Sequence, residues 1–187
     1  MEVATVKAKV NRVTYTGDLG YEIWVAPEYQ RRLYESIMAA GADLGIKNFG
    51  MRALLCLRLE KNFGTWYREF RPIYGPFEAG LDRFVKLDKP GGFIGREALL
   101  KQKALPVLPK RFVCLALDDN SDKAPMIYHE EPIYRNGVLV GSTTSGAWGH
   151  RVNLSLGLGY VHNRDGVTKD WIDGAKWEVE LAWKRYA

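Results

Sequence analysis

Cysteine and histidine are scarce in this chain. Its 187 residues include two cysteines and three histidines. Cys56 and Cys114 each sit in an apolar run, LLCLRL and FVCLAL. That is the setting of buried free thiols, and it suits a reducing compartment rather than a disulfide-stapled fold. His129, His150 and His162 are scattered, and no Cys or His pair has ligand spacing, which argues against a structural metal. The N-terminus, MEVATVKAKVNRV, alternates and is charged, without the apolar core of a signal peptide. No segment is long and apolar enough to span a bilayer. The chain therefore reads as cytoplasmic, or as a matrix protein if organellar, with no membrane partner.

Runs of like charge are also missing. The formal net charge is +5, from 27 basic and 22 acidic side chains, and no run of five or more like charges occurs. Such a mild excess fits a solvated basic surface first and a small polyanionic ligand second. No RNA-binding or helix-turn-helix signature is present, so nucleic acid is not an expected partner. Gly91-Gly92-Phe93-Ile94-Gly95-Arg96 opens a helix, yet it is neither a G-x-G-x-x-G nor a Walker loop. No serine sits in a nucleophile elbow, and Cys56 falls inside a predicted buried helix. No catalytic residue is assigned. Repeats and low-complexity tracts are absent too.

What the chain does have is ordinary globular composition, 47% apolar and 26% charged, and many rings, with six Trp and ten Tyr. Its length allows one large domain or two small ones. Residues 6–13 alternate as a strand, and VTYTGDLGYEIWV reads as a hairpin turned at Gly17 and Gly20. Pro27 and Glu28 open a helix whose Leu33, Ile37, Ala40 and Leu44 keep helical spacing, with Gly45 as its stop. MRALLCLRLEK predicts a short, mostly buried helix. Residues 61–80 read as a long ordered loop, of the kind that carries function. LDRFVKLD predicts a strand, and FIGREALLKQK a helix.

Two prolines in ALPVLPK mark a connector, so the chain divides into 1–103 and 104–187. Beyond it, RFVCLALDD, EEPIYRNGVLVGSTTSG, SLGLGYVH and WEVELAWKRY predict short strands. Asn136-Gly137 is the strongest hairpin signal in the chain. The fold class is α+β: an antiparallel sheet with helices, then an all-β barrel or jelly-roll-like domain.

Two constellations remain. Tyr15, Asp18, Tyr21, Glu22 and Trp24 crowd one hairpin. Glu22 either faces solvent on its strand or accepts from the adjacent N–H donors of a 2-amino-4-oxo pyrimidine, with nearby rings walling a flat heterocycle. Arg52 and Arg58 interrupt an apolar helix. Each either pairs with a carboxylate, Glu60 and Glu78 being available, or faces a ligand carboxylate in a pocket.

In order, YTGDLGYEI, MRALLCLRLEK, PFEAGLDRFVKLDKPGGFIGREAL, VGSTTSGAWG and LGLGYV resemble the C-terminal part of the folate-dependent aminomethyltransferase family. That family includes the glycine cleavage T-protein and the folate domains of dimethylglycine and sarcosine dehydrogenases. NRVTYTGDLGYE, RLEK and PFEAGL look closer to the dehydrogenase branch. The resemblance covers nearly the whole chain.

It implies tetrahydrofolate as cofactor, a small amine as second substrate, and one-carbon transfer between them. By position, Glu22 would hold the pterin ring and Tyr15 would line its slot. Arg52 would support the site or the acidic tail, and Trp66 and Tyr67 loosely match the family's aromatic after RLEK. Asp18 stands where the family usually has Glu, and Ala53 where it has Asp. Residues 61–80 hold no Cys, which separates the chain from iron–sulfur-maintenance relatives. The family's region before the hairpin, with its folate-activating aspartate, has no counterpart here. The chain is thus expected to be a fragment or a partial subunit, inactive alone, and completed by a partner chain or a second copy. The alternative is a non-catalytic folate-binding or structural module.

Overall fold

The computed structural model describes residues 1–119, 121 and 123–187. The N-terminal half builds two small sheets and three helices. Strands β1 (Glu2–Val3) and β2 (Val6–Lys7) pair across Ala4-Thr5, and β3 (Lys9–Asn11) pairs antiparallel with β4 (Glu22–Trp24). The hairpin expected around Gly17 is thus real, but ten residues separate its short strands. Helices α1 (Gln30–Ala40) and α2 (Met51–Glu60) follow, and α3 (Arg96–Lys103) closes this half. Gly45 takes a left-handed conformation and stops the turn after α1, as glycine permits and other residues resist.

The C-terminal half is one six-stranded antiparallel sheet. Its strands are β5 (Lys110–Ala116), β6 (Pro132–Arg135), β7 (Val138–Gly149), β8 (Leu154–His162), β9 (Trp177–Leu181) and β10 (Lys184–Tyr186), in the order β10-β9-β6-β7-β8-β5. Asn136-Gly137 joins β6 to β7 with both φ angles positive, the geometry its residue types favour. A short helix, α4 (Lys169–Asp173), lies between β8 and β9 and has no counterpart in the sequence reading. Thr168 caps it, accepting from the Trp171 N–H at 3.1 Å. The expected α+β class with an all-β C-terminal unit is what the chain forms.

Helix α2 is seated on the sheet. Its Leu59 packs with Ala147, Leu156 and Leu158 of β7 and β8 in one buried cluster. Gly146 makes the approach to the neighbouring segment close: a Cβ there would collide with the backbone of Ile127. The seam between α2 and β7 joins the two halves and positions the clefts described below.

Three expectations need correction. LDRFVKLD is not a strand. Asp82–Phe84 forms a single 3₁₀ turn, and the side chain of Phe84 is 64% exposed. Among the described residues the segment has no strand beside it, and the Leu87 carbonyl is satisfied instead by Arg96 Nε at 2.7 Å. The two thiols are not both buried: Cys56 is half-buried and Cys114 exposed. Helix α2 is also less buried than its composition suggests, with Arg58 and Leu59 alone fully enclosed.

Candidate functional site

The loop after α2 is held by one buried carboxylate. Glu69 is fully enclosed. Its Oε2 accepts from the Thr65 N–H at 2.6 Å, the Thr65 hydroxyl at 2.9 Å and Arg58 at 3.4 Å. Its Oε1 accepts from the Thr144 hydroxyl at 2.6 Å and from Ser145 Oγ. In a regular strand Thr144 and Ser145 would point to opposite faces. The register of β7 shifts between Thr143 and Ser145, and this bulge lets both hydroxyls reach one carboxylate. Burial works to raise the Glu69 pKa, but the Ser145, Thr144 and Thr65 donors outweigh it and hold the carboxyl below its ordinary value.

Arg58 therefore finds its acid in Glu69, not in Glu60 or Glu78. Glu60 accepts from the Arg151 N–H, and Glu78 from the Gly75 N–H. Arg58 also donates to the Phe63 carbonyl at 3.0 Å, while its buried Nε has no partner among the described residues. Further ties fix the same loop. The Tyr160 hydroxyl donates to the Glu69 carbonyl at 2.9 Å, Arg68 donates to the Thr144 carbonyl at 3.1 Å, and the rings of Tyr74 and Tyr160 stack at 3.6 Å. Residues 63–74 are thus a fixed wall between the two halves.

On one side of this wall lies a cleft of about 640 Å³. Tyr15 enters it from the hairpin, its hydroxyl donating to the Gly64 carbonyl at 3.1 Å. Its ring stacks against Phe63, with centroids 6.5 Å apart and planes 18° from parallel. Burial raises the Tyr15 pKa and outweighs the opposing charge of Arg58, so the phenol keeps its proton. Phe70, Phe84 and Phe112 add rings, and Lys61, Arg83 and Arg111 add positive charge. No Asp or Glu lines it among the described residues. Gly17 sets the hairpin against α2: its φ is +85°, and a Cβ would collide with the Lys61 side chain.

Glu22 is exposed on β4, opposite Asn11, and its carboxylate has no hydrogen bond or ion pair among the described residues. Both its oxygens are free to accept. On the other side of the wall, Arg52 and Tyr67 line a second cleft, of about 400 Å³. Trp66 is 80% exposed and meets Tyr67 edge-on at 5.7 Å.

The five residues singled out from sequence thus fall in three places. Tyr15 is in the first cleft, Arg52 and Tyr67 are in the second with Trp66 beside them, and Glu22 stands on the open strand. Two residues were missed. Phe63, not Trp66 or Tyr67, is the ring brought to Tyr15; it sits directly after α2, and its place depends on how the loop folds. Glu69 lies between Arg68 and Phe70 in the long loop expected over 61–80, and only the distant Thr144-Ser145 pair reveals its role.

This arrangement, a hairpin-and-helix unit seated on a six-stranded sheet with clefts at the seam, has close counterparts. Residues 1–89 match the GCVT N-terminal domain, and residues 110–187 match the glycine cleavage T-protein C-terminal barrel domain. The chain belongs to the glycine cleavage T-protein family. It is 40% identical over 188 aligned positions to human mitochondrial dimethylglycine dehydrogenase, across 100% of this chain and 20% of that protein. It is 38% identical over 186 positions to the mouse mitochondrial pyruvate dehydrogenase phosphatase regulatory subunit, across 95% of this chain and 21% of that one. The crystal structure of glycine cleavage system aminomethyltransferase T from Bartonella henselae superposes with a TM-score of 0.77 at 26% identity, covering 95% of this chain and 46% of that one. The chain spans about a fifth of the length of these two curated relatives.

Proposed function

We propose that this chain binds tetrahydrofolate and serves one-carbon transfer from an aminomethyl or methylamine donor to it. The observation that carries the reading is the stacked Tyr15–Phe63 pair in a cation-rimmed cleft without acids among the described residues, beside the hairpin whose second strand opens at Glu22. The residues present fit the ligand in donor and acceptor type. An unpaired carboxylate at Glu22 suits the N–H edge of the pterin. The rings of Tyr15 and Phe63 suit its flat face, and Lys61, Arg83 and Arg111 suit its carboxylates. Membership in the glycine cleavage T-protein family supports the same reading. Bound tetrahydrofolate supplies the nitrogens that take up the one-carbon unit.

In this reading the protein orients and neutralises rather than attacks. Glu22 fixes the pterin edge, and Tyr15, held by Gly64, fixes the ring plane. Arg52 and Tyr67 line the other cleft, with Trp66 beside Tyr67. Residues outside this chain, from further polypeptide or a partner subunit, complete the reacting centre. The test is tryptophan quenching by 5-formyltetrahydrofolate, comparing the parent with Glu22→Gln. Saturable quenching that weakens about tenfold in the variant supports the assignment. Equal affinity removes Glu22 from the site, and no quenching removes the function.

A second reading is a folate-binding module without turnover. The match to a protein named as a regulatory subunit supports it. Turnover assays with an aminomethyl donor, already at the oxidation level of formaldehyde, and tetrahydrofolate, run with the polypeptide that completes the reacting centre, separate the two: binding without product over the background rate leaves the module.

A further inference from the structure

A third cleft, of about 650 Å³, is built around the proline-marked connector. The 82–87 segment, the end of α3, residues 105–108 and the start of α4 bound it. The connector is fixed there rather than free. The Val167 N–H donates to the Leu108 carbonyl at 2.8 Å, and the Asn163 N–H to the Pro109 carbonyl at 2.9 Å. The cleft is therefore preformed, as small-molecule sites usually are.

Its walls are aliphatic. Val85, Leu87, Leu105, Val107, Val167 and Ile172 line it, and the one ring in the described lining, Phe77, is buried. A flat heterocycle finds little to stack on there, in contrast to the Tyr15 cleft. Charges of both signs stand in the same lining: Asp82 and Asp173, with Lys103, Arg111 and Lys169. Lys169 and Asp173 answer each other within α4. Asp82, Lys103 and Arg111 make no side-chain hydrogen bond or ion pair among the described residues. One free acid and two free cations thus share an aliphatic cleft of small-molecule size. An alkyl acid would leave Asp82 unanswered, and an alkyl amine would leave Lys103 and Arg111 unanswered. A zwitterion without a chain would leave the apolar walls wet.

We propose that this cleft binds an aliphatic zwitterion, a ligand that carries an ammonium and a carboxylate at one end of an alkyl chain. The ammonium meets Asp82, the carboxylate meets Lys103 and Arg111, and the chain lies along Leu105, Val107, Val167 and Ile172. Medium-chain α-amino acids have this make-up. The proposal does not rest on folate binding. None of Tyr15, Glu22, Arg52 and Tyr67 lines this cleft, and among the described residues Arg111 alone is shared with the Tyr15 cleft.

The probe is 2-aminooctanoate, titrated by calorimetry against octanoate, which lacks the ammonium, and heptylamine, which lacks the carboxylate. Saturable binding of the zwitterion, about fivefold tighter than either, is expected for charges open to solvent. Affinity should climb by up to about fourfold per methylene from 2-aminobutanoate to 2-aminooctanoate. Asp82→Asn should erase the advantage over octanoate, while retained octanoate binding shows the cleft intact. Lys103→Gln combined with Arg111→Gln should erase the advantage over heptylamine, with heptylamine as the same control. Absent binding, a flat chain-length series, equal binding of the three probes, or preferences unaltered in both variants overturns the proposal. So does dimethylglycine binding as tightly as 2-aminooctanoate, since the chain would then count for nothing. Because Arg111 is shared, saturating 5-formyltetrahydrofolate should weaken 2-aminooctanoate by no more than about fivefold, the share of one charged contact. Full competition overturns the proposal by giving the cleft to folate, and leaves the folate reading standing. Binding of 2-aminooctanoate with no folate binding sinks the folate reading alone.

Discussion

The carboxylate of Glu69 accepts from Ser145 Oγ, 76 positions further along the chain. With Thr144, Thr65 and Arg58 it closes a buried polar network that ties α2, the wall loop and β7 together. Such networks stabilise only while every member is answered, because an orphaned buried charge is costly. Glu69→Ala leaves Arg58 buried without its acid and should cost about 3–5 kcal/mol. Glu69→Gln keeps the shape and one acceptor and should cost less. Chemical denaturation of the three proteins checks the order. A change below about 0.5 kcal/mol for the alanine variant would show that the seam does not depend on this carboxylate.

The same group makes the fold acid-sensitive. Its folded pKa lies below the ordinary 4.5, so the unfolded chain binds the proton more readily. The contribution is fully present above the unfolded value and is lost as pH falls through the folded one. Glu69→Gln removes this titration. The stability gap between parent and Glu69→Gln should therefore be constant near neutral pH and shrink as pH falls below 4.5. Denaturation midpoints measured in parallel from neutral to acid test it. A gap that widens in acid would mean that the carboxyl is raised by its burial instead.

Much of this architecture is legible from residue types, and the failures have physical causes. Asn136-Gly137 announced its turn because both residues tolerate positive φ. Ala4-Thr5 and Ala182-Trp183 make two-residue turns with the same backbone, φ 50° and 65°, and 48° and 67°, from residues that do not favour it. There the strand pairing imposes the conformation, and no local signal shows it. LDRFVKLD alternates like a strand, yet a strand needs a neighbour, and sequence does not supply one. In the clefts, Tyr15 was visible because its hairpin is local. Its pairing with Phe63 was not, because 48 positions of chain and the Glu69 network decide it.

The turn between β9 and β10 gives a stability test free of the clefts. Both its central residues adopt left-handed φ, and Trp183 is 96% exposed, so its ring adds little to the core. Replacing Ala182-Trp183 by Asn-Gly matches residue type to backbone, as at Asn136-Gly137. The gain should be about 1–2 kcal/mol, seen as a higher denaturation midpoint at unchanged m value. A loss of stability would show that the Trp183 side chain packs on the sheet after all.

Phe63 and Trp66 separate the two clefts as places for the pterin. Phe63 stacks on Tyr15, whereas Trp66 stands exposed beside Tyr67 at the second cleft. If folate sits against Tyr15, Phe63→Ala removes one wall of its slot and should weaken 5-formyltetrahydrofolate by about tenfold, the loss of one aromatic contact. Trp66→Ala should change affinity by less than about twofold. Calorimetry is the suitable readout, because the second variant removes a fluorophore. Phe63→Leu guards against mere collapse of the wall: it keeps bulk without the ring and should fall between parent and alanine. The reverse order, with Trp66 carrying the affinity and Phe63 none, would move the pterin to the Arg52 side of the wall.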